Sequence, residues 1–379
     1  MLNFAAKSLK TVIVMKFHIV GSYLPQDYLI SARNDFENGR ISPQDFRNVE
    51  DRAIDELVEL QLKAGVPSVS GGELRRKYWD RDFYFGLNGI ERERVDTGRI
   101  YQDRWAYSNQ ISFTDRISYN PQHPFFEFFT YLYNKVDGRA RCRQTLPSPA
   151  DLYLTILDKA EGQIERLYPW TETLLNDIVD AYRNTILHFY KIGCRSIQLD
   201  DSACGRLTDP AYADELLRGG VDIMQLQNNI VKLLQDTLTG LPDDMWKTVY
   251  LSSGPTIVPD WNATETTDNI MPRILAMDNV DRFYMPFNTS KPETAEILRF
   301  VNPHAAVALG LVSAHTPFHD KLGRILDFIA LARTYIQPDD RLSISPKTGF
   351  KLTSYASRGL MFEDQWRKID DIKALAATI

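Results

Sequence analysis

Acids, guanidinium groups and hydroxyls recur in this chain where short apolar runs stop. The run 196–199 (Ser-Ile-Gln-Leu) ends on the adjacent carboxylates Asp200 and Asp201. The run 66–72 (VPSVSGG) ends on Glu73, with Arg75 and Arg76 close behind. Others carry His18 followed by Gly21 and Ser22, then Ser148, Ser252 and Ser253, Asn288, His315, and Lys347 with Thr348. Carboxylates on neighbouring tips can hold an amino group or divide the roles of acid and base. Guanidinium pairs suit a carboxylate or phosphate through bidentate hydrogen bonds. A small amino acid carries both complementary groups, so such a rim fits one. Plainer roles stand beside these: Asp200 and Asp201 as helix caps or turn residues, His18 as a satisfied core histidine, and Arg75-Arg76 as a solvated pair.

Eight runs read as strands: 17–22, 66–72, 141–146, 196–199, 247–252, 282–286, 305–311 and 342–345. Each is followed by a segment of helical periodicity, as in 42–64, where Ser42-Pro43 supplies an N-cap and first-turn pair. Strand–helix alternation predicts a parallel sheet with helices outside, and eight repeats favour closure into a (β/α)8 TIM barrel. Catalytic groups of such barrels sit at the C-terminal strand tips, where the residues above fall. Residues 80–140 break the alternation and read as an excursion between strands 2 and 3, a hairpin and helix over the barrel mouth. The 379 residues form one domain on this reading.

Composition narrows the function. A net charge of −6 argues against general nucleic-acid binding. The 44% hydrophobic and 25% charged residues suit a soluble globular protein. Cys142, Cys194 and Cys204 are odd in number and widely spaced, without a CxxC pair, which fits a reducing cytoplasm better than a disulfide framework. The apolar run 11–20 is too short to span a bilayer and is broken by Lys16 and His18; the first dozen residues read as a loose leader. No GxGxxG follows the first strand and no GxxxxGK[ST] is present, so nucleotide-binding loops have no support. His315 and His319 are spaced i, i+4, but Pro317 between them argues against one helical metal-binding face. The partner is a small molecule, with neither nucleic acid nor membrane.

Several segments together resemble the short, single-barrel relatives of cobalamin-independent methionine synthase. They are His18-Ile-Val-Gly-Ser22 with Pro25, Gly71-Gly-Glu-Leu-Arg-Arg76 through Tyr78-Trp79, Asp82-Phe83, Gly86-Leu-Asn-Gly89, Thr145-Leu-Pro-Ser-Pro149, Ile197-Gln-Leu-Asp-Asp201, Gly310-Leu-Val312 and Ser345-Pro-Lys-Thr-Gly-Phe350. They run in order across nearly the whole chain. The resemblance implies a (β/α)8 barrel and transfer of a methyl group from a folate to homocysteine, whose thiol a zinc ion activates. It also implies that Val20, Gly21 and Ser22 contact the amino acid and that Glu73 and Asp200 hold its ammonium group.

The family's zinc ligands are a histidine, two cysteines and a glutamate. Alignment places Tyr250, Ser252, Met285 and Thr348 at those positions. Neutral hydroxyls and a thioether make a very poor zinc set. The expectation is therefore a methyltransferase-family protein of methionine biosynthesis, with a degenerate zinc site and diverged chemistry on a homocysteine- or methionine-like substrate. Glu73 and Asp200 orient that substrate, Arg75 or Arg76 holds an acidic group, and Asp201 or His18 serves as acid or base. Two alternatives stay open: a metal-free acid–base enzyme akin to uroporphyrinogen decarboxylase, and a non-catalytic amino-acid-binding protein.

Overall fold

The computed structural model describes residues 15–101, 104–159, 164–252, 259, 261–263, 269–316, 320–351 and 360–379, without the side chains of 94–101, 104–110 and 159. Ser253 and His319 lie outside the described residues.

The strands are β1 (Lys16–Phe17), β2 (Ser68–Val69), β3 (Asn88–Tyr101), β4 (Arg104–Ser118), β5 (Arg141–Cys142), β6 (Gln144–Pro147), β7 (Ser196–Asp201), β8 (Trp246–Leu251), β9 (Arg282–Pro286), β10 (Ala306–Val312) and β11 (Leu342–Pro346). Seven form one sheet in the order β1-β11-β10-β9-β8-β7-β6, and β2 pairs with β5. All these pairings are parallel. Only Arg143 separates β5 from β6, and its amide donates to the Val69 carbonyl at 2.8 Å, so the two act as one barrel strand. The β1 and β2 ends meet through Tyr23 N–H to the Gly72 carbonyl (3.1 Å) and the Ser70 hydroxyl to the Gly21 carbonyl (2.8 Å). Eight strands thus follow one another around a (β/α)8 barrel. The first two are shorter than their apolar runs, because their distal halves turn early into the loops at the rim.

Strand parity divides the core. Ile197, Leu199, Phe283, Met285, Val307, Leu309 and Ile344 belong to the large cluster between strands and helices. Val20, Tyr250, Tyr284 and Ala308 form a separate small cluster, at alternate positions of their strands and therefore inside the barrel. Arg143 and Gln198 are buried beside it, so the barrel's interior is substantially polar.

The 80–140 excursion resolves into two unlike parts. β3 and β4 form a long antiparallel hairpin, anchored near its base by Arg116 on Asp177 (2.7 Å). The helix Pro124–Val136 buries Phe125, Phe126, Phe129 and Leu132, and packs against the helices Pro43–Ala64 and Thr171–Lys191. Its apolar face places it in the outer ring, leaving the hairpin as the insertion. No described helix is long and apolar enough to cross a membrane. The three cysteines are buried and unpaired.

Candidate functional site

After β2 the chain turns sharply, and Glu73 takes a left-handed backbone with φ of 58°. A non-glycine residue there is under strain, and such strain persists only where its surroundings enforce it. The Arg76 amide holds the Glu73 carbonyl at 3.0 Å, and the Lys351 ammonium braces the turn from the segment after β11, donating to the carbonyls of Glu73 (2.8 Å) and Arg76 (2.7 Å). Desolvation lowers this ammonium to about 8, with Glu73 opposing. The Glu73 carboxylate accepts from the Thr145 hydroxyl at 2.9 Å and pairs with Arg76 at 3.2 Å. Arg76 also donates to Thr145 and lies over the Phe125 ring at 4.7 Å. Turn, strand and ring helix therefore hold one acid–guanidinium pair at the rim.

Asp200 projects from β7 beside this pair. Its Oδ1 accepts from Gln198 Nε2 at 2.6 Å. Burial first, and the Glu73 carboxylate second, push its acid up to about 7, against Gln198, Arg76 and Arg143. Two carboxylates in one desolvated place cannot both ionise freely, and an incoming cation relieves them. The arrangement suits an ammonium group, with Arg76 available to an adjacent anion.

The other residues singled out from the sequence separate into those near this rim and those elsewhere. Gly21, with φ of 141°, packs against Thr145 and Arg143: a Cβ there would come within 3.0 Å of the threonine methyl. Ser22 is buried against the turn after β11, accepting from Phe350 N–H at 3.1 Å; a Cβ on Gly349 would fall 1.9 Å from its Oγ. Val20 lines the interior and gives its carbonyl to Gln198 at 2.7 Å.

Asp201 does not share the rim. It has the parity of Ile197 and Leu199, and its carboxylate accepts from Ser148 Oγ (2.6 Å) and Cys204 N–H (2.8 Å), outside the barrel wall. Ser148 is thereby committed to Asp201 and to capping the helix Pro149–Lys159 through Asp151 N–H at 3.1 Å. Arg75 turns outward to pair with Asp51 and Glu50, over the Phe128 and Tyr131 rings. His18 is buried in the barrel, edge-on to Tyr284 at 6.1 Å. Desolvation, then Arg282, Arg143 and Lys16, hold its imidazole well below the usual range. A histidine below the rim among cations is a poor proton acceptor.

The four aligned zinc positions also resolve by parity. Met285 lies in the outer core, and the inward position of β9 is Tyr284, so that alignment slips by one residue. Burial and Asp200 keep the Tyr250 phenol protonated, and it donates to the Lys347 carbonyl at 3.2 Å. Ser252 Oγ is 3.5 Å from the Asp201 carbonyl, and Thr348 Oγ1 is 2.7 Å from His315 Nε2. Phenols and alcohols with one imidazole do not fit zinc's need for thiolate, imidazole or carboxylate donors. Among the described residues no three His, Cys, Asp or Glu side chains are grouped to hold a metal ion.

Sequence reasoning passed over Thr145, Arg143, Gln198, Tyr284 and Lys351. Alternation was the usable signal for four of them: Arg143 shares a face with Thr145, Gln198 with Asp200, and Tyr284 takes the inward position beside Met285.

No protein-family model matches the chain. The uncharacterised proteins YxjH and YxjG of Bacillus subtilis are each 27% identical, over 358 and 360 residues, spanning 94% of this chain and 92% of theirs. A Listeria monocytogenes structure, described as a candidate vitamin-B12-independent methionine synthase, has 27% identity and a TM-score of 0.72, covering 96% of this chain and 98% of its own. A B12-independent methionine synthase from Shewanella, solved with selenomethionine, shares the fold at 16% identity and a TM-score of 0.65, with 96% and 97% covered. Sequence segments, barrel and these likenesses agree: the chain is similar in sequence and in fold to a candidate vitamin-B12-independent methionine synthase.

Proposed function

We propose that the protein binds a small α-amino acid of the homocysteine or methionine type at the barrel rim, and that its chemistry has diverged from the family's zinc-dependent methyl transfer. Glu73 and Asp200 take the ammonium group, and Arg76 takes an anionic group of the ligand. The supporting observation is the buried pair of carboxylates on β7 and on the turn after β2, backed by a guanidinium 3.2 Å from one of them.

Divergence rests on donor chemistry. Tyr250, Ser252, Tyr284 and Thr348 are phenols and alcohols, not the thiolate, imidazole or carboxylate donors that zinc takes. An unactivated thiol with a pKa of about 8.5 stays mostly protonated there, so transfer of a methyl group from a folate to homocysteine by the family route is absent or very slow. A second reading has a specific observation in its favour. An aspartate titrating at about 7 beside an arginine is equipped for metal-free acid–base work, such as decarboxylation.

Calorimetric titration with L-methionine, L-homocysteine and methyl-folates, with metal analysis of the same preparation, tests this. Binding of an amino acid by protein without stoichiometric zinc is the expected result. Stoichiometric zinc overturns the metal-free reading, and silence toward every amino acid overturns the ammonium cradle. Turnover of a carboxylic acid without metal moves the conclusion to the acid–base reading.

A further inference from the structure

The barrel interior holds a buried cation whose described bonds all go to neutral acceptors. Arg143 donates to Gln198 Oε1 (2.9 Å), Tyr284 Oη (2.8 Å) and the Ile19 carbonyl (2.6 Å). Its Nε has no partner among the described residues. The guanidinium has no acceptor to offer, so the Gln198 oxygen must face it. The Gln198 amide nitrogen is fixed a second time by the Val20 carbonyl at 2.7 Å, which can only accept. A flipped amide would set oxygen against oxygen at Val20 and NH2 against guanidinium at Arg143. With its orientation settled, Gln198 must donate its remaining N–H to Asp200 Oδ1 at 2.6 Å. Oδ1 is then always an acceptor, and Oδ2 is the oxygen that carries the proton or meets a ligand.

We propose that Gln198, oriented by Arg143, is a positioning residue that reserves Asp200 Oδ1 as an acceptor and favours the ionised acid, so that the rim selects ligands with a primary ammonium group over their neutral counterparts. A donor locked onto a carboxylate stabilises its charged form. A buried guanidinium behind that donor strengthens it by polarisation. Among the described residues, the charged or titratable groups that face Asp200 are Glu73 and Arg76 on the turn after β2, Arg143 on the strand of β5 and β6, and Tyr250 on β8. Glu73 raises its acid, while Arg76 and Arg143 lower it. The selectivity rests on the amino-acid reading above, whereas the relay does not.

The test separates the two. Carbon-13 NMR titration of the aspartate carboxylates in the ligand-free protein follows Asp200, assigned by its loss in Asp200→Asn. Gln198→Met removes the donor, and the isosteric Gln198→Glu replaces it with an acceptor while keeping the Arg143 contact. Both are expected to raise the Asp200 midpoint by about one pH unit or more. Calorimetry at pH 8 then compares L-methionine with 2-hydroxy-4-methylthiobutanoate, in which a hydroxyl replaces the ammonium. The wild type is expected to prefer methionine by at least roughly tenfold, and Gln198→Met to lose most of that preference. An unmoved Asp200 midpoint in either folded variant overturns the relay. A moved midpoint in a protein that ignores methionine upholds the relay and overturns the amino-acid reading and its selectivity. Equal binding of both compounds by the wild type overturns the selectivity alone.

Discussion

Asp200 and Asp201 are consecutive in the chain but serve opposite sides of the barrel wall. Asp200 faces inward to Gln198 and the Glu73–Arg76 pair. Asp201 faces outward into a second acidic centre, where Ser148 Oγ lies 2.6 Å from Asp201 Oδ2 and 3.2 Å from Asp151 Oδ2. Ser202 closes that centre by giving its amide (2.8 Å) and its hydroxyl (2.5 Å) to Asp151. Burial and Asp201 push Asp151 up to about 8, against Ser202. Burial also raises Asp201, against Ser148 and Cys204. Both centres contain desolvated paired acids, yet they differ in what completes them. The outer acids are closed by backbone amides and hydroxyls of neighbouring turns, a set of caps that joins two helices to one strand end. The inner acids meet a guanidinium, a lysine-held strained turn and the open rim. Perturbed titration alone would nominate either centre; the partners distinguish a structural joint from the proposed ligand cradle.

The contrast can be broken by substitution. Asp200→Asn and Glu73→Gln should each weaken L-methionine binding by about 10–100-fold, the worth of a hydrogen bond to a charged group. Asp201→Asn should leave affinity within roughly threefold and act on stability instead. Calorimetry beside thermal melting reads both; an equal loss of affinity in Asp201→Asn would erase the distinction. A smaller effect is expected at Lys351. Lys351→Met removes a donor from two carbonyls, leaving that of Glu73 only the Arg76 amide, and loosens the left-handed Glu73, so affinity should fall about tenfold. Unchanged affinity would show that the turn holds itself.

The smallest effect is on stability, and its sign is set by the raised acids. The folded states of Asp151 and Asp200 bind their protons more tightly than the unfolded chain, with midpoints at about 8 and about 7. Their contribution is fully present below the ordinary aspartate range and is lost as pH rises through the folded values. Melting temperature should therefore fall across pH 5 to 8, by roughly 2 °C per unit. Asp151→Asn should flatten this slope. Calorimetric scans showing a level profile in the wild type would mean that both of these acids are ionised throughout.

Much of this architecture was legible before any coordinates. Alternation of strand and helix called for the barrel, and the apolar strand tips led to Glu73, Arg76 and Asp200. Parity was legible and underused. Ile197 and Leu199 already mark the odd positions of β7 as facing the helices, which sets Asp201 outside and Gln198 with Asp200 inside. The same alternation separates Tyr284 from Met285. Arg75 and Arg76 were not separable in this way. They lie on a turn with no period, and their directions are decided by Asp51 and Glu50 on one side and by Glu73 and Thr145 on the other. Lys351 was illegible for a different reason: its partners are carbonyl groups 278 and 275 residues away, and no side-chain pattern announces a backbone acceptor.

That long tie has a bearing on how the site comes into being. Glu73 lies near the start of the barrel and Lys351 just past its last strand, so the turn that presents the carboxylate acquires its brace only when the two ends of the chain meet. A nascent chain or a barrel still open between β1 and β11 would carry every residue of the proposed cradle without this brace. On the amino-acid reading proposed above, ligand capture would then double as an inspection of completed assembly, with one lysine as its sensor.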